Sequence, residues 1–223
     1  MGSFERSGEV LDDPMPNRVT PLGDIVSVPL RGAWLGNRGI LHEGTDVVRP
    51  HRGPLWIICA LEHKDWRLPQ WQPGHFTVLF FHDEAVALAA GHRPCALCRR
   101  SSYDEFRAAW VAGNGGAQPL AHLIDRRLHG ERLVHRTRQK RLHPMPWSSL
   151  PDGAFVTAEG QAMLILGDLL VPWRTIGYGF ARPRPRHGQV DVVTPPSTVE
   201  ALRAGYRPQI DDRALSQAAL ATT

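Results

Sequence analysis

The sequence predicts an α+β fold, on three observations. Apolar, partly β-branched runs at 55–61 and 76–81 read as buried strands. The middle of the chain carries apolar residues at helical spacing: Tyr103, Phe106 and Trp110, then Leu120, Leu123, Ile124 and Leu128. Beyond Pro144 and Pro146 come short runs divided by glycine turns, as expected of a small antiparallel β-rich end.

Taken in order, residues 1–24 are rich in Pro, Gly and charge and are expected to form a loose arm. A first module then covers 25–113, a basic helical segment 114–143, a β-rich region 144–212 and a tail 213–223. Ile25 to Leu30 suits an edge strand, since Pro29 cannot donate to a central ladder. Gly36-Asn37-Arg38-Gly39-Ile40-Leu41-His42 reads as a turn entering a short strand that ends in histidine. A loop bearing Trp66, Pro69, Trp71 and Pro73 leads to the strand at 76–81. Asp83 is placed to cap the next helix and Gly91 to stop it. Ser102 is a candidate cap for a helix to Ala112, which the Gly113–Gly116 stretch breaks. Glu159-Gly160 reads as a hairpin turn, and Ser197 as the cap of a helix to Ala204. Val199 to Pro208 parallels Ala85 to Pro94, sharing Ala-Leu, Ala-Gly and Arg-Pro, with Gln209 where the earlier copy has Cys95. The echo reads as one helix-stop solution used twice, the second time without a metal ligand.

The 223 residues are ample for a hydrophobic core. No apolar run approaches the roughly 20 residues of a membrane span. The N-terminal stretch is polar and acidic, unlike a signal peptide. Three cysteines cannot all pair within the chain, so a reducing cytoplasm is the expected location. The net charge of +4 permits a nucleic-acid partner without establishing one.

Cys95-Ala96-Leu97-Cys98 can aim two thiolates at one point, as tetrahedral zinc requires. The alternative is a redox pair, but such pairs open a helix, whereas this one follows a helix. Leu88-Ala89-Ala90-Gly91-His92-Arg93-Pro94-Cys95-x-x-Cys98, after a Phe-containing strand and an Ala-rich helix, resembles the zinc-binding domain of the Ada DNA-repair methyltransferase. The resemblance covers about 36–100. The whole chain is also similar to a widespread bacterial group, from which no activity carries over.

The resemblance implies Zn2+ held by Cys95, Cys98 and two upstream ligands. Cys59, the remaining cysteine, is the third. For the fourth, His42 is preferred because the Gly-Asn segment before it matches the family. His63 competes through its three-residue gap from Cys59. His51, His75 and His92 are weaker candidates. In the repair enzyme the first upstream thiolate accepts a methyl group from a DNA phosphotriester. A His42 site would lack that acceptor, whereas a His63 site would put Cys59 in its place. Structural zinc is therefore the leading expectation and methyl transfer the minor one.

The run 126–143 carries Arg126, Arg127, Arg132, Arg136, Arg138, Lys140 and Arg141 against the single acid Glu131. Such a run is usually a solvated face, but beside a module that resembles one from DNA repair it also suits phosphate-backbone binding. The leading expectation is therefore a protein in which zinc fixes the fold and arginine faces meet nucleic acid (DNA), with a link to DNA repair or modification, through Arg93, Arg99, Arg100, Arg132, Arg136, Arg138 and Lys140. A hydrolase or nuclease-like site using Asp125, His129, Glu131 or His143 is a further alternative, although no phosphate loop, dinucleotide fingerprint or His-Glu-x-x-His motif occurs.

Overall fold

The computed structural model describes residues 14–64, 66, 69–137 and 139–221. Helices and sheets both occur, as an α+β fold requires. The chain opens with β1 (Pro16–Val19), β2 (Ile25–Ser27) and β3 (Trp34–Asn37), then a small hairpin of β4 (His42–Glu43) and β5 (Asp46–Val47). Next come β6 (Ile57–Cys59), β7 (Leu79–Phe81), α1 (Glu84–Ala89) and β8 (Arg93–Pro94). Helices α2 (Arg100–Asn114) and α3 (Ala121–Arg132) form the middle. The β-rich end contains β9 (His143–Pro146), β10 (Phe155–Ala158), β11 (Gln161–Leu166), β12 (Leu169–Arg174), β13 (Gly177–Tyr178), β14 (Arg182–Pro183) and β15 (Gln189–Val192). Helices α4 (Pro196–Arg203) and α5 (Asp212–Leu220) follow it.

The first sheet runs β2-β1-β7-β3-β6-β8, with parallel pairs β1–β7 and β6–β8. Residues 1–13 of the expected arm lie outside the described residues. From Pro16 the arm is already structure, because β1 alternates half-buried and buried positions between β2 and β7. As expected, β2 is an edge. The second sheet runs β13-β12-β11-β10-β15-β9, with β14 on β12, and all its pairings are antiparallel. Glu159 and Gly160 both take positive φ, 52° and 72°, as a two-residue hairpin turn of the right twist needs.

Helix α1 is short and buried on every side, so it has no solvent face to stabilise it alone. It packs against β7 and β10, and one apolar cluster runs through it from Val19 to Ala214. Two carboxylates fix its start. Asp83 accepts from Val86 N–H at 2.8 Å, from the Tyr178 hydroxyl at 2.8 Å and from Asp211 N–H at 3.1 Å. Glu84 pairs with buried Arg99 at 2.8 Å and accepts from the Tyr206 hydroxyl at 2.6 Å and Gln209 N–H at 3.1 Å.

The helix end is a Schellman motif around Gly91, whose φ is 97°. His92 N–H reaches Ala87 O at 3.0 Å and Gly91 N–H reaches Leu88 O at 2.9 Å. The second copy repeats it: Tyr206 N–H to Ala201 O at 3.1 Å, Gly205 N–H to Leu202 O at 3.1 Å. The echo is thus structural, and its aromatic residue, Tyr206, lands on Glu84 at the start of α1.

Two expected caps shift. Ser102 lies inside α2, whose first turn has no side-chain cap; its hydroxyl instead accepts from Arg99. Helix α3 runs through Gly130 to Arg132, whose side chain is anchored in the core. Ser197 does not cap α4; the Glu131 carboxylate does so from α3, accepting Ser197 N–H at 3.0 Å and the Ser197 hydroxyl.

Removing Glu84 strands the Arg99 charge in the core. Glu84→Ala is therefore expected to lower the unfolding free energy by about 3–5 kcal/mol in urea titrations. The double substitution Glu84→Met with Arg99→Met should recover most of that loss.

Candidate metal centre

Parallel pairing of β6 with β8 sets the site. Ile57 lies opposite Arg93 and Ile58 opposite Pro94, and Cys95 N–H continues the ladder to Ile58 O at 2.9 Å. This places Cys59, at the end of β6, beside the Cys95–Cys98 turn. The three sulfurs lie within 4.8 Å of one another. A tetrahedron with zinc–sulfur bonds of about 2.3 Å has corners ~3.8 Å apart, so the donor set fits a metal with small adjustment.

The backbone supports thiolate charge. Leu97 N–H points to Cys95 Sγ at 3.4 Å, and Ala60 N–H to Cys98 Sγ at 3.4 Å. The Cys95 thiol is held far below the usual range, chiefly by the Cys59 thiol, then by Cys98 and nearby N–H groups. Cys59 is pushed up, first by its hydrogen bond to Cys95 and next by that to Cys98. A bound cation would relieve this competition by stabilising all three thiolates.

The sulfurs line a cavity of about 210 Å³ whose walls include Ile57, Leu61, Trp66 and Phe76. His63 also lines it, and its Nε2 is buried without a hydrogen-bond partner. His42 is not part of that lining. Its Nδ1 is 2.6 Å from Thr77 Oγ1 and its ring packs edge-on to Trp71. Its Nε2 too is buried and unpaired. Among the described residues no histidine or carboxylate joins the three-sulfur group at 4.8 Å. His51 packs on Trp56 and His129, and His75 sits by Pro73 O. His92 accepts from Arg38 Nε at 3.0 Å; burial, then the Arg38 and Arg132 charges, keep it neutral.

The arginines assigned to phosphate contact separate into two groups. Arg93 is buried and grips Asp125 at 2.7 and 2.8 Å, joining the knuckle to α3. Arg99 is buried against Glu84 and stacks on Trp34 at 3.8 Å. Arg132 is fully buried, donating to Gly91 O and Pro54 O, and half-buried Lys140 donates to Ala89 O. Arg93, Arg99 and Arg132 are thus turned into the fold rather than onto its surface, and Lys140 is half-buried with its ammonium on a backbone carbonyl. Arg100 and Arg136 are exposed, and Arg138 lies outside the described residues.

The acid–base candidates do not converge. Asp125 holds Arg93, Glu131 caps α4, His143 bonds Glu131 O at 2.7 Å, and His129 Nδ1 meets Arg132 at 2.9 Å. Sequence reasoning gave Arg38 and Trp56 no role, yet Arg38 and Arg132 both stack on Trp56, at 4.0 and 3.8 Å. A lone arginine between Asn37 and Gly39 carries no signal of burial.

No family model, curated protein or solved structure matches the chain.

Burial, then the Arg132, His51 and His135 charges, depress His129 from its usual 6.5 to about 4. Unfolding restores the ordinary value, so the stability tied to neutral His129 is complete above pH 6.5 and declines as pH falls towards 4. Imidazole NMR titration of the folded chain should show a His129 midpoint near 4 rather than 6.5.

Proposed function

We propose that this is a zinc-binding protein whose metal is structural, held by Cys59, Cys95, Cys98 and His63. The cluster of three sulfurs carries the proposal. Zinc there ties the end of β6 to the turn after β8, two short strands with little ladder of their own. The Cys95 and Cys98 positions accord with the Ada-like resemblance. His63 is favoured over His42 because it lines the cavity with the sulfurs. Movement of its ring toward the sulfurs would complete a tetrahedron.

The second reading is methyl transfer, favoured by one observation: half-buried Cys59 opens on the apolar cavity. Its zinc-bound thiolate would take a methyl group from an alkyl phosphotriester, forming a carbon–sulfur bond as the carbon–oxygen bond breaks. The phosphodiester anion leaves. Incubation with methylated DNA then adds one methyl mass to Cys59. Unchanged mass, with a repair protein modified in parallel, rules it out.

For the leading reading, native mass spectrometry and elemental analysis should find one zinc per chain. Cys95→Ser and Cys98→Ser should abolish retention, and His63→Ala should weaken it at least tenfold. His42→Ala should keep the stoichiometry. Stripping the metal should lower Tm by about 10 °C. A chain that holds no zinc, or loses it with His42→Ala and not with His63→Ala, contradicts the assignment.

A further inference from the structure

A second site lies away from the cysteines, in a cleft of about 510 Å³ between the β5–β6 loop, the β1–β2 turn and the end of α3. Its polar lining is one-sided. Arg38, Arg49, Arg132, Lys140 and His51 face it, against the single acid Asp24. Leu22, Ile25, Val47, Val48 and Leu133 supply apolar wall.

A buried guanidinium is costly unless an acid accompanies it. Arg93 and Arg99 obey that rule with Asp125 and Glu84. Arg38 and Arg132 do not, although both are 0 % exposed. Arg38 donates to Gly23 O at 2.8 Å and to His92; Arg132 donates to Gly91 O at 2.8 Å and Pro54 O at 2.7 Å. All those acceptors are neutral. Among the described residues, no carboxylate comes within ion-pair distance, 4.0 Å, of Arg38, Arg132 or Lys140. Arg38 Nη2 and Arg132 Nε are buried without a hydrogen-bond partner. Asp24 eases Arg38 and Lys140 from a distance, but its side chain and amide bond Thr20.

We propose that this cleft binds the phosphate group of a small phosphorylated molecule, with Arg38, Arg132 and Lys140 around the phosphate and Arg49 at the rim. Guanidinium forks match phosphate oxygens, and a dianion balances several like charges held together. The cleft is larger than a phosphate ion, so the organic part packs on Val48 and Leu133. Mutual repulsion shows in the protein itself: burial and then the neighbouring cations push Lys140 well below its ordinary value. An anion reverses that effect. Arg38 and Arg132 line the floor of the cleft, where a small phosphorylated molecule can enter but the backbone of a duplex lying across the surface cannot. The site is independent of the zinc proposal.

The test is backbone-amide NMR on the full, metal-replete chain titrated with inorganic phosphate, ribose 5-phosphate and ribose. Phosphate should saturably shift Gly23, Ala90 and Leu133 with a Kd of about 1 mM or tighter. Ribose 5-phosphate should bind more tightly, and ribose not at all. Lys140→Met keeps the packing of the stem and should weaken phosphate binding about tenfold, and Arg49→Glu at the half-buried rim should weaken it too. Both variants should keep the parent zinc content. No saturable shift with phosphate, equal response to ribose, unchanged affinity in both variants, or displacement of phosphate by a micromolar oligonucleotide lacking terminal phosphates would each overturn the proposal.

Discussion

Gly91 sets the course of the chain through both sites. Its left-handed backbone ends α1 within two hydrogen bonds and sends the chain into β8. The next residues then point to different partners: His92 to Arg38, Arg93 to Asp125, and Cys95 to the sulfur cluster. A Cβ on Gly91 would stand 2.5 Å from Arg132 Cδ, so the turn and the buried arginine need each other. The repeat of the motif at Gly205 returns to the same helix from the other end, where Tyr206 and Gln209 hold Glu84. One helix buried on every side thus receives support from both halves of the chain.

Charge inside this protein obeys two regimes. Where a cation joins elements, an acid meets it: Arg99 with Glu84, Arg93 with Asp125. Around Trp56 the cations meet only carbonyl oxygens, imidazoles and an aromatic ring. Carbonyl groups satisfy donors but leave net charge uncompensated. The sulfur cluster is the converse case: three sulfurs within 4.8 Å of one another cannot all ionise without a cation to hold their charge. Each imbalance is relieved by a ligand of opposite sign, a cation at the sulfurs and an anion at the arginines.

Much of this was legible in the sequence because it depends on local chemistry. Asp83 caps α1, Gly91 stops it, and Glu159-Gly160 turns the hairpin, each through a backbone preference of that residue type. The Val199–Pro208 echo was visible for the same reason. The parts that stayed hidden depend on distant partners. Glu131 displaced Ser197 as a cap from 66 residues away, and β1 became a strand by pairing with β7. The arginine run looked solvated or phosphate-binding, yet Arg132 belongs to the core, and no periodicity distinguishes a buried guanidinium from an exposed one. At the candidate metal site the Cys-x-x-Cys spacing and the lone Cys59 were readable. The choice of histidine was not, since spacing favours neither ring once loops of different length separate them.

The central claim is a metal held by three sulfurs and one imidazole, and zinc K-edge X-ray absorption on the purified full chain tests it directly. The account predicts a first shell of three sulfurs at about 2.3 Å and one nitrogen at about 2.0 Å, the nitrogen lost in His63→Ala. A shell of two sulfurs with oxygen donors, or a nitrogen that persists in His63→Ala and vanishes in His42→Ala, would contradict it.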